Sequence, residues 1–170
     1  MQIRLLTFSL IGLMAVACAQ DKSKRPSPPA VASGTIDGVS IKIDYSQPSV
    51  KGRKIMGGLV PYGEVWRTGA NEATTIEFDK NVKIEGKPLP AGKYTLFTIP
   101  GEQEWSIIFN KKLGQWGAYD YEKNKDQNAL VVKVKPASTS FTEVLTFEVG
   151  AQAVTLKWEN TAVSFGVAKN

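Results

Sequence analysis

The sequence predicts an all-β protein, a single antiparallel β-sandwich with little or no helix outside an N-terminal leader. Three observations predict it. Apolar side chains recur at every second position along most of the chain. Gly, Pro, Asn and Asp break that rhythm about every ten to fifteen residues, and no segment carries a helical apolar stripe of useful length.

The elements follow in order. In GVSIKIDYS, Val39, Ile41, Ile43 and Tyr45 share one face and Ser40, Lys42 and Asp44 the other, the pattern of a half-buried strand. Ile76 and Phe78 mark a second strand over Thr74 to Phe78, and Val82 with Ile84 a third. Pro88, Pro90 and Gly92 read as a turn. Tyr94 to Ile99 is apolar on both faces, which suits a strand covered from two sides. Alternation resumes through Trp105, Ile107 and Phe109, then Leu130, Val132 and Val134, then Leu145, Phe147 and Val149. Val154, Leu156 and Trp158 predict one further strand, and Val163, Phe165 and Val167 another. Immunoglobulin-like and jelly-roll-like strand orders are both compatible with this list.

The first residues set the compartment. MQIRLLTFSLIGLMAVACAQ carries a positive charge at Arg4 and an apolar run from Leu5 to Ala17. That run is shorter than the roughly 20 residues a spanning helix needs and fits a secretory leader. It ends in Ala15-Val16-Ala17-Cys18, which resembles a bacterial lipobox, although Ala15 stands where Leu is usual. Residues 1–17 are therefore read as a lipoprotein signal peptide and Cys18 as the lipidated residue. Cys18 is the single cysteine of the chain, and an exported protein seldom keeps one unpaired thiol. Residues 18–32 read as the acylated cysteine and a flexible, proline-rich linker, and residues 33–170 as the sandwich. The expected location is the envelope, on the periplasmic side or an outer-membrane leaflet, with the membrane as partner through the lipid.

The formal net charge is +5, with basic and acidic residues interspersed and no basic stripe, so nucleic acid is not an expected partner. There is no histidine. That excludes histidine general-base catalysis, the Ser-His-Asp triad and histidine metal ligation. With Cys18 acylated, thiolate chemistry goes too, and no Walker or dinucleotide motif is present. Glu64, Glu72, Glu102, Glu104, Asp120 and Glu122 are the carboxylates available for a hydrolase, but nothing pairs any two of them. Asp120 to Asn128 places oxygen ligands at alternate positions, as calcium loops do, yet Lys123 and Lys125 lie inside it and the turn glycine is missing. No cofactor and no metal is expected, and enzymatic activity is disfavoured.

Two stretches interrupt the β-rhythm: Gln47 to Ala73, and Lys111 to Asn128. Long irregular loops are where function concentrates. The first contains WRTGANEAT, which brings Trp66, Arg67, Asn71 and Glu72 together at a bend; Asn110, Gln115, Trp116 and Tyr119 border or occupy the second. In one reading they form a ligand site, with flat aromatics and planar polar groups for a glycan, an acidic small ligand or a peptide. In the other they form a structural corner, with Trp66 plugging the edge of the core, Arg67 paired to Glu72 or to an acid elsewhere, and Gly69 permitting the bend. An alternative role is that of an envelope structural or assembly protein working through protein contacts at an open sheet edge or apolar patch.

VPYGEVWRTGANEATT, LPAGKYTLFTIPGEQEWSIIFNK, QWGAYDY, VKVKP, EVLTFE and LKWEN, in that order, resemble the domain of unknown function 2911, over roughly residues 33–165. The resemblance implies one β-rich domain in exported proteins and lipoproteins, chiefly of Bacteroidota. It implies no activity and assigns no residue a role.

Overall fold

The computed structural model describes residues 21–170, so the leader and Cys18 lie outside the described residues. Ten strands run in order: β1 Pro29–Ile36, β2 Val39–Ser46, β3 Thr75–Phe78, β4 Val82–Ile84, β5 Lys87–Leu89, β6 Gly92–Ile99, β7 Trp105–Asn110, β8 Asn128–Val134, β9 Pro136–Val149 and β10 Ala153–Lys169. They form a six-stranded sheet, β1-β2-β3-β6-β7-β8, and a four-stranded sheet, β5-β4-β10-β9. Every paired strand is antiparallel. The two sheets pack face to face as a sandwich, with no closed barrel. One short helix, α1 at Tyr121–Asn124, lies in the second irregular stretch, and no helix of the described residues is long and apolar enough to cross a membrane.

The alternating residues supply the core between the sheets. Ile41, Ile43, Ile76, Phe78 and Phe109 of the large sheet meet Leu145, Leu156, Trp158 and Phe165 of the small one, each at most 4% exposed. A second cluster lies apart from this core: Ala73, Phe97, Ile108 and Tyr121, with Val65, Ile99 and Ala118 against them. It explains why β6 is apolar on both faces. Leu96 faces the inter-sheet core, and Phe97, of opposite parity, packs edge-on against Tyr121 of α1 at 5.2 Å.

Three elements differ from the sequence expectation. The first strand begins at Pro29, inside the stretch read as linker, and pairs with β2 in register from Pro29↔Ser46 to Ile36↔Val39. Lys87–Leu89 is a strand rather than part of a turn, pairing with β4. Val154–Trp158 and Val163–Val167 are one strand, β10. Their inward residues are even-numbered in the first half and odd-numbered in the second, so a bulge must absorb the change of parity. The register shifts between Lys157 and Glu159 and again between Glu159 and Thr161, and Glu159 adopts φ 55°.

Candidate functional site

The bend WRTGANEAT is placed by β6. Trp66 exchanges both backbone hydrogen bonds with Thr98, at 2.8 and 3.0 Å, so residues 65–67 extend the large sheet beside the end of β6 that β3 leaves uncovered. Strand alternation then turns Trp66 inward. It is 9% exposed, stacks on Trp158 at 5.9 Å, meets Trp105 edge-on at 6.4 Å, and donates its indole N–H to Gly69 O at 3.1 Å. Trp66 is a core plug with no free face for a ligand.

The left-handed residues of the bend are Thr68 (φ 56°) and Asn71 (φ 57°), not Gly69. Gly69 is needed for close approach, because a Cβ there would lie 3.0 Å from Thr74 Oγ1 and 3.2 Å from Ser46 O. A β-branched residue at positive φ is uncommon. Thr68 is held there by Thr74, whose hydroxyl donates to Thr68 O at 2.8 Å, and by a 3.2 Å hydroxyl contact with Thr98.

Arg67 does not pair with Glu72. Among the described residues no carboxylate lies within ion-pair range of it, and its buried Nε has no acceptor. Glu72 is instead gripped by the segment that precedes β1. Lys22 Nζ lies 2.9 Å from one carboxylate oxygen and Arg25 Nη1 2.8 Å from the other, while the Arg25 guanidinium sits 5.9 Å from the centroid of Trp116. The hydrogen bond from Lys22 is the main cause that lowers the Glu72 pKa; burial opposes it, and Glu72's own backbone and Arg25 reinforce it. Asn71 Nδ2 donates to Ser27 O at 2.9 Å, and Gln47 N to Pro28 O at 2.9 Å. Residues 21–28 thus form a strap across the bend.

The two irregular stretches meet. Ala73 N donates to Gln115 O at 3.0 Å and Gly117 N to Asn71 O at 3.1 Å, which makes Glu72 and Trp116 bridge partners. The polar residues of the second stretch are mostly internal. Asn110 is fully buried; its amide donates to Asn124 O and Asn128 Oδ1, both at 2.8 Å, and its carbonyl accepts Lys112 N at 2.8 Å. Gln115 is 7% exposed and donates to Lys112 O, leaving its side-chain oxygen without a partner. Trp116 and Tyr119 are the exposed members, at 54% and 79%. The Asp120–Asn128 run folds as α1 and a 3-10 turn, and no group of carboxylates suited to a metal occurs among the described residues.

Where strap, bend and second stretch converge, a groove of about 280 Å³ opens. Lys22, Asp44, Glu72, Lys93, Gly114 and Gln115 line it, over a floor that includes Tyr45 and Thr75. Lys93 of β6 reaches across β3 to Asp44 of β2 at 3.0 Å, and Lys42 lies 3.0 Å from the other oxygen of Asp44. Burial of Asp44 is opposed by hydrogen bonds from Lys93 and then Lys42, and its pKa ends below the ordinary value. Asp44 and Lys93 carry no signal in the sequence. Both are outward residues of half-buried strands, and only the register β2-β3-β6 brings them together.

No curated protein and no solved structure matches the chain. A family model does match it, over residues 27–167, from the residue that Asn71 holds to the last strand. The chain belongs to the family described as Protein of unknown function (DUF2911).

Proposed function

We propose that the protein is a non-catalytic binding module, held at the cell envelope by a lipid on Cys18, and that it takes a glycan in the groove between strap, bend and second stretch. The observation that carries this reading is the groove itself. Four charged side chains and an internal amide converge there without any catalytic pairing. At about 280 Å³ it lies at the small end of the range for ligand sites, enough for a single sugar ring or side chain. Its lysines are already engaged, Lys22 by Glu72 and Lys93 by Asp44, each carboxylate being shared with a second cation, Arg25 or Lys42. A neutral, hydroxyl-rich ligand therefore fits better than an acidic small molecule or acidic peptide, which would have to break an ion pair to bind.

The test is a thermal-shift panel on the mature chain, with envelope glycans, peptidoglycan fragments and acidic peptides. A ligand at 100 times its dissociation constant adds about 2.7 kcal/mol, a shift of several degrees. The expected hit is a neutral glycan, lost in Lys93→Ala with the unliganded melting temperature nearly unchanged. A shift from acidic peptides alone refutes the glycan assignment, and silence across the panel refutes the module.

A second reading, a structural or assembly role through protein contacts, is favoured by one observation. β9 is an edge strand, and among the described residues no strand covers the outer side of Ala137–Thr142. That stretch, ASTSFT, has no charge, and its Phe141 is 58% exposed. A photocrosslinker at Phe141 would capture an envelope protein if this edge is used, and nothing if it is not.

A further inference from the structure

The second irregular stretch carries more exposed apolar surface than the groove uses. Leu113 (42%), Trp116 (54%) and Tyr119 (79%) all point to solvent within seven residues. Lys111 and Lys112 adjoin Leu113 on the same stretch, and Lys22, Lys24 and Arg25 lie on the strap, with Arg25 over the Trp116 ring; the acids that pair with the strap's cations are Asp21 and Glu72, while Asp120 is held by Lys123. Cations therefore outnumber carboxylates at the rim. An aliphatic side chain, a Trp and a Tyr beside long cations is the composition of a surface that sits at a lipid–water boundary. There the rings keep one wet end and the lysine stems lie along apolar surface.

Chain length decides where that surface must face. Lys22 is fixed to Glu72, and Glu72 is the bridge partner of Trp116. Lys22 is four residue steps from Cys18, and four fully extended steps reach at most about 14 Å. The headgroup layer of one leaflet is roughly 5–8 Å thick. A lipid on Cys18 therefore leaves the domain too little slack to turn this end away from the bilayer, unless the strap detaches from Glu72, Asn71 and Gln47 together.

We propose that the loop Leu113–Tyr119 is a membrane-docking surface, seating the domain on the bilayer that holds its own N-terminus, with an anionic leaflet preferred. The inference rests on the lipid-anchor reading of Cys18 for its geometry and on the exposed triad for its chemistry. It fixes orientation: the groove opens beside the membrane surface, so the ligand it takes is one present within the headgroup zone rather than deep in the envelope space.

Tryptophan fluorescence tests it directly. Trp66, Trp105 and Trp158 are at most 9% exposed, which leaves Trp116 as the reporter. The mature chain is reconstituted into vesicles of neutral lipid, or of neutral with anionic lipid, each with brominated acyl chains, and the mass of the Cys18 peptide is read separately. The expected result is loss of the Trp116 emission to the brominated lipid, protection of Trp116 from iodide, and a larger effect with anionic lipid. The response should vanish in Trp116→Phe and weaken in Leu113→Ser/Tyr119→Ser. A chain that floats with the vesicles while Trp116 stays unquenched and iodide-accessible overturns the docking surface and leaves the anchor standing. Quenching without acylation of Cys18 supports the surface and overturns the anchor. A chain that is neither acylated nor bound to vesicles overturns both.

Discussion

Asn71 joins three parts of the molecule. Its backbone carbonyl accepts from Gly117, its side chain donates to Ser27, and its φ of 57° turns the bend. Asn tolerates the left-handed region better than residues with a larger or apolar Cβ substituent, and Gly tolerates it best. Asn71→Ala should cost about 1–2 kcal/mol, from the lost hydrogen bonds plus the backbone penalty. Asn71→Gly should cost less, because only the side-chain hydrogen bonds, to Ser27 O and Ser46 Oγ, are lost. Chemical denaturation of the two variants settles the matter, and the reverse order would remove φ from the explanation. Arg67 makes the opposite case. Its buried Nε has no acceptor, so an apolar side chain of similar length gives up nothing there. Arg67→Met should leave the melting temperature unchanged or raise it. A drop of several degrees would mean that Arg67 holds a partner in solution.

At the scale of elements, β1 shows why part of the fold was hidden in the sequence. Its inward positions are Ala30, Ala32, Gly34 and Ile36, while the larger Val31 points out at 59% exposure. The inward residues are small because the opposite sheet closes in on them: a Cβ on Gly34 would lie 2.8 Å from Val149 Cβ and Cγ1. An apolar period cannot be seen where packing demands small residues. Gly34→Ala should therefore destabilise by about 1–3 kcal/mol through overpacking, and Val149→Gly in the same chain, which removes both clashing atoms, should recover part of it. Equal losses in single and double variants would dispose of the contact. The strands β2, β7 and β8 are legible because large apolar residues alternate there without interruption, and β6 because it is apolar on both faces. β10 was read as two strands because its bulge reverses parity at Glu159, a change of register that depends on β9. Of the candidate site, the sequence showed the two irregular stretches and the exposed Trp116 and Tyr119. It did not show the strap, since ion pairs between Lys22, Arg25 and Glu72 bridge about fifty residues and leave no local pattern.

For the whole molecule, the strap ties stability to pH. Glu72 and Asp44 both titrate below their ordinary values in the folded state. A group whose folded pKa is depressed stabilises the fold fully above its unfolded pKa, and that contribution is lost as pH falls through the folded pKa. Stability should therefore hold from neutral pH down to about 4, where free carboxylates begin to protonate, and decline below it. Glu72→Gln should flatten part of that decline and loosen the strap at neutral pH, where Glu72 is ionised. Proteolysis within residues 21–28 and melting curves recorded from about pH 7 to about pH 2 would follow the two effects. An unchanged acid limb in Glu72→Gln would place the dependence on Asp44 and on Asp21, whose pKa is lowered by its side-chain and backbone hydrogen bonds with Ser23.

β10 lies inside the four-stranded sheet, between β4 and β9, although it is the last of the ten strands in the chain. During synthesis it emerges after the other nine. Until it arrives, the β4–β5 hairpin has no neighbour and the inner face of the larger sheet has no opposing layer. Synthesis therefore passes through a stage at which the apolar partners of β10 are exposed to water, and any interruption before Ala153 leaves a species that proteases and chaperones can tell at once from the finished molecule.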